Sequence, residues 1–174
     1  MNTKTIVAMS LAAILSFATT SAFADPPSFL TVKEAEVDEG EVEIETKGKI
    51  PTDGTGGAFG YGVVGTSGIL VFTTHGGVGP DSSVQTGQGD PVFHTHGATV
   101  GFVAACDGPG VTSITDEPTI PVEVKKKKLE AENYNGQVGD LSNTILSFTL
   151  SVVGDPASPT AVCVNNIQSF TAED

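Results

Sequence analysis

Short runs of Val, Ile, Phe and Thr, cut at close intervals by glycine, limit what this chain can fold into: 21 glycines stand against 10 prolines. β-Branched and aromatic residues suit a pleated surface, and glycine supplies the tight turns between strands. Beyond the N-terminal apolar run, apolar residues hardly ever recur at helical spacing, and only Lys125 to Asn133 leaves room for a short helical turn. The fold class expected is therefore all-β with little helix. The spacing of the turns suggests an antiparallel two-sheet β-sandwich of about eight or nine strands.

Individual segments carry this pattern. Between Thr31 and Lys47, Ala35 and Val37 occupy odd positions and Val42 and Ile44 even ones, so the alternation changes phase at Asp38-Glu39-Gly40. A period-two pattern that slips at a glycine predicts a hairpin turn or a bulge. Glu34, Glu36, Glu41, Glu43 and Glu45 then form a solvated acidic face, with no Asp-x-Asp-x-Asp-Gly loop to argue for calcium. Strands are expected at Ala58 to Val64 and at Gly68 to Thr74, the second apolar on both faces and hence central. Further strands are expected at Val92 to His96, Thr99 to Cys106, Thr119 to Lys125, around Leu146 to Val152, and near Ala161 to Phe170, with a break at Gly97. The run Lys125 to Lys128 is read as solvating a strand end, protecting an edge, or meeting the acidic hairpin.

The N-terminus reads as a secretory signal peptide over residues 1–24. Lys4 precedes the apolar run Ile6 to Phe17, and small residues stand at Ala22 and Ala24 before Asp25. The remaining residues, 25–174, fit one β-sandwich domain, secreted or extracytoplasmic, in the periplasm or at the cell surface. No second long apolar stretch follows, so no membrane span is expected. Without Lys4 the chain carries 7 Lys against 21 Asp and Glu, a net charge of −14, and it has no arginine anywhere. Such a surface is a poor match for nucleic acid and can attract cations.

Cys106 and Cys163 both lie in the exported part, where an even count reads as a disulfide. Closing a loop of that length stabilises a fold by about 4 kcal/mol in the chain-entropy description.

The 3 histidines of the chain all fall between His75 and His96. In Phe93-His94-Thr95-His96 the two imidazoles share one face of an extended strand, with Cα atoms about 6.5–7 Å apart. If the strand ending at His75 pairs antiparallel with this one so that Thr73 faces His94, His75 becomes a diagonal neighbour of His94. Three neutral imidazoles suit copper(II) or zinc, with Asp81 and Asp90 available as an extra oxygen ligand or as orienting groups.

The His94-x-His96 pair resembles that of cupins, but no Glu follows within four residues and no histidine lies downstream, so the likeness covers two positions. The ligand set is similar in kind to the three histidines of alpha-type carbonic anhydrases, whose third histidine follows the pair instead of preceding it. A blue-copper site is excluded because neither cysteine is followed by a histidine and both methionines, Met1 and Met9, leave with the signal. Copper-zinc superoxide dismutases need more histidines than this chain has. No Gly-x-Ser-x-Gly elbow points to a nucleophile.

The function expected is binding or transfer of copper or zinc through His75, His94 and His96, more than turnover. The alternatives are an extracellular structural or adhesive module that self-associates or binds another extracellular protein, and a small metal-dependent enzyme with Asp81 or Asp90 as base.

Overall fold

A computed structural model describes residues 25–76, 92–115 and 120–173. The expected signal segment 1–24, and Asp81 and Asp90, lie outside the described residues. Ten strands are seen among the described residues: β1 Val32–Asp38, β2 Glu41–Thr46, β3 Phe59–Gly65, β4 Ile69–Thr74, β5 His94–Val103, β6 Gly108–Thr115, β7 Val122–Lys125, β8 Lys128–Ala131, β9 Leu141–Asp155 and β10 Ser158–Thr171. Among the described residues helix is limited to two 3₁₀ turns, Ser28–Leu30 and Ala104–Cys106.

The all-β antiparallel expectation holds, but the two-sheet sandwich needs correcting. One sheet has four strands in the order β1-β2-β8-β7, and the other closes on itself as a six-stranded barrel, β10-β6-β5-β4-β3-β9. Alternation along a strand is the same in an open sheet and a closed one, so the residue pattern does not distinguish them. Closure depends on β9 and β10, whose pairing shifts register at Pro159/Ala161 and Asn165/Gln168, irregularities that bend and twist strands. The closing seam is thin: β10 meets β6 at one register pair, Cys163 with Gly110.

Other local departures have simple causes. The expected hairpin is present, turning at Glu39 and Gly40 with φ of 39° and 93°. Lys125 to Asn133 is no helix: Lys125 pairs with Lys128 across a two-residue turn in which Lys126 has φ 58°, and β8 follows. Gly97 does not interrupt β5. A Cβ there would stand 2.6 Å from Thr115 Oγ1, so glycine lets β6 approach and the strand runs through.

The barrel wall has two faces. Phe59, Tyr61, Val63, Leu70, Phe72 and Ile145 pack outward against Ala35, Val42, Ile44, Leu129 and Ala131 of the four-stranded sheet, forming the main core. Val71, Ala98, Phe148 and Val164 form a second cluster, with Ile69, Val100, Val111, Leu146 and Leu150 around it. All of these come from barrel strands, so they meet across the barrel interior. The far face of the four-stranded sheet is charged, as expected. Glu36, Glu43, Glu130 and Glu123 stand side by side across its four strands, and Lys128 Nζ lies 2.6 Å from both Glu43 and Glu130. The lysine run thus meets the acidic hairpin and flanks β7, an edge strand.

Candidate metal centre

Register places the histidines. β4 and β5 pair antiparallel with Val71 opposite His96 and Thr73 opposite His94, which is the alignment the sequence suggested. Directly paired residues share a face, so His94 and His96 lie on the same side as Val71, the barrel interior. His75 follows the end of β4 and completes the group at the barrel mouth, half-buried beside the buried His94 and His96.

The chain after His75 is fixed by a backbone contact. A Cβ at Gly76 would come within 2.1 Å of Gly57 O, and Gly76 has φ of 25°, so this is a position for glycine. Gly57 in turn closes a tight turn through its N–H to Gly54 O at 3.1 Å. The glycine-rich segment that links β2 to β3 therefore acts as a stop for the strand end that carries His75.

The three rings pack on one another. Ring centroids are 4.7 Å apart for His75 and His94, 4.7 Å for His94 and His96, and 6.2 Å for His75 and His96. Each ring offers one nitrogen such that all three lie within 4.8 Å of one another. Around a tetrahedral ion with bonds of about 2.05 Å, ligand nitrogens stand about 3.3 Å apart. Side-chain rotation thus has to draw the nitrogens together from the 4.8 Å limit by at most about 1.5 Å.

One ring has its tautomer assigned by chemistry. His94 Nδ1 lies 3.1 Å from Val92 O, and a carbonyl oxygen only accepts, so Nδ1 carries the proton. Neutral His94 then presents its lone pair at Nε2. A backbone carbonyl that fixes tautomer and ring orientation is the usual outer support of a metal-ligating histidine.

On the histidine face the neighbouring strand is glycine where the wall side chains pack closely. β3 carries Gly60 and Gly62 on the histidine face, and a Cβ at Gly60 would stand 2.7 Å from Thr73 Cγ2 and 3.1 Å from Phe148 Cζ. Thr73 itself, 3% exposed, keeps its hydroxyl Oγ1 without a hydrogen-bonding partner. The sequence pattern allows Thr73 opposite His94 but carries no signal of a role for it, since the state of its hydroxyl depends on packing.

Cys106 does not join the site. It forms the expected disulfide with Cys163, with Cα atoms 5.4 Å apart, beside the thin β6–β10 seam. No helix of the described residues is long and apolar enough to cross a membrane. Compared with protein-family models, curated proteins and solved structures, the chain matches none of them.

Proposed function

We propose that this is an exported metal-binding protein that holds one divalent copper or zinc ion through His75, His94 and His96, for binding or transfer. The observation that carries this reading is the convergence of the chain's 3 histidines, drawn from two neighbouring strand ends, at the mouth of a small barrel. Barrel mouths are regular ligand sites, and a buried rigid wall is suited to positioning ligands. Three imidazoles without a thiolate or thioether favour copper(II) or zinc over copper(I). Export is supported by the signal-like residues 1–24 and by a disulfide, a bond that persists in oxidising compartments.

The test is metal content and affinity of the chain from Asp25 onward, purified without a nickel column. The expected result is one copper or zinc per chain and a loss of affinity of at least about 100-fold in His94→Ala. No titratable metal, or equal affinity in His94→Ala, would overturn the reading in favour of a structural or adhesive module.

A further inference from the structure

Thr73 packs like valine yet carries a hydroxyl that makes no hydrogen bond, at a position 3% exposed. Burying a hydroxyl without a partner is unfavourable, and valine has the same shape without that penalty. Neighbouring buried hydroxyls are treated differently. Thr95 Oγ1 receives Ile120 N–H at 2.7 Å, and Ser147 Oγ donates to Leu30 O at 2.6 Å. Both lie on the outward face of the barrel wall, whereas Thr73 lies on the histidine face, directly opposite His94 and two residues before His75.

The side chain's orientation narrows the use of this hydroxyl. Thr73 Cγ2 fills the space over Gly60, where an added Cβ would come within 2.7 Å of it. The methyl group is therefore committed to β3, and the hydroxyl occupies a different direction on the same face. Three imidazoles fill three positions around a four-coordinate ion and leave the fourth to a ligand from solution. A hydroxyl can donate one hydrogen bond to such a ligand and still accept another.

We propose that Thr73 Oγ1 is part of the metal site and hydrogen-bonds the small exogenous ligand, water or a monovalent anion, that completes the coordination made by His75, His94 and His96. This rests on the metal-binding reading above. Thr73 is a positioning residue for that ligand, and its loss should weaken the anion while leaving the metal in place.

The test uses the chain from Asp25 onward loaded with copper(II), or with cobalt(II) as the visible stand-in for zinc, and titrated with azide by absorption. Thr73→Val should bind one metal with affinity close to wild type and melt, metal-free, no lower than wild type. Its azide dissociation constant should rise about tenfold, the effect of one hydrogen bond, and Thr73→Ser should restore it. If Thr73→Val does not fold, Thr73→Ala serves for the same comparison. Unchanged azide affinity in the loaded valine or alanine variant would overturn the role of Thr73 while leaving the metal site standing. Loss of the metal itself from a folded variant would also overturn it, by making the hydroxyl a ligand. Wild type that takes up neither metal would remove the metal-binding reading and this inference together.

Discussion

The two faces of the barrel wall are built from the same strands to opposite rules. On the outward face the buried polar groups are satisfied within the protein: Tyr61 OH donates to Phe29 O at 2.5 Å, Ser147 Oγ to Leu30 O, and Thr95 Oγ1 exchanges hydrogen bonds with Ile120. On the inward face, at the mouth, three imidazoles crowd together beside an unsatisfied threonine hydroxyl. Polar groups satisfied by the backbone serve the fold, whereas converging imidazoles are a group that could hold a metal ion. One strand pair, β4 with β5, contributes to both faces: Phe72 and Thr95 look outward, Thr73 and His94 inward.

Substitutions on the two faces should separate cleanly. Phe72→Ala, at a fully buried outward position, should destabilise the metal-free protein by about 3–5 kcal/mol in urea unfolding. His96→Ala on the inward face should leave metal-free stability near wild type and reduce metal affinity by at least about 100-fold, measured by competition titration. If His96→Ala destabilises the metal-free protein as much as Phe72→Ala does, the distinction between the faces fails.

The disulfide provides a second contrast. Cys106–Cys163 lies across the seam where β6 and β10 share one register pair, away from the histidines. Replacing both cysteines with serine should lower stability by about 2–5 kcal/mol and leave the metal affinity of the folded fraction unchanged. Metal should act in the other direction. At a free concentration of 100 times the dissociation constant it should add about 2.7 kcal/mol, a rise in melting temperature of about 5–10 °C by calorimetry. Tm unmoved by saturating metal would count against a site formed by the folded state.

The smaller effects belong to the fold side. Burial holds the Tyr61 hydroxyl well above its usual range. The folded chain thus keeps a proton that the unfolded chain loses near pH 10, and the resulting stability, complete below that pH, declines as pH rises toward the folded value. Tyr61→Phe should cost about 1–2 kcal/mol at neutral pH, through the hydrogen bond to Phe29 O, and make the decline above about pH 10 shallower. Tyr134, Lys33, Lys125 and Lys128, whose values are also raised, keep part of that slope. Lys128→Ala removes exposed ion pairs to Glu43 and Glu130 and should change thermal stability least of all, with the change disappearing in high salt.

Much of the site is legible in the sequence, because parity is a strong constraint in strands. His94 and His96 must share a face, and one antiparallel register of β4 with β5, the one present, sets Thr73 opposite His94. The phase slip at Glu39-Gly40 and the cysteine pair were legible for similar reasons. Closure of the barrel was not, since it rests on Cys163 meeting Gly110 far away in sequence, a contact that leaves no local pattern. Ser147 illustrates another limit. Its place among Leu146, Phe148 and Leu150 reads as the solvent side of a half-buried strand, yet it is buried against Leu30 because β9 is covered on both faces. The free hydroxyl of Thr73 belongs with these cases, as only packing determines whether a threonine finds a partner. Asp81 and Asp90, the acidic candidates of the sequence, lie outside the described residues.

X-ray absorption on protein loaded with one equivalent of copper or zinc tests directly whether the three imidazoles bind one ion. Three imidazole nitrogens at about 2.0–2.1 Å with one further light atom are expected, and a change in that shell when His75, His94 or His96 is replaced by alanine. A shell dominated by oxygen, or one that is unaltered in all three variants, would contradict binding by the three imidazoles.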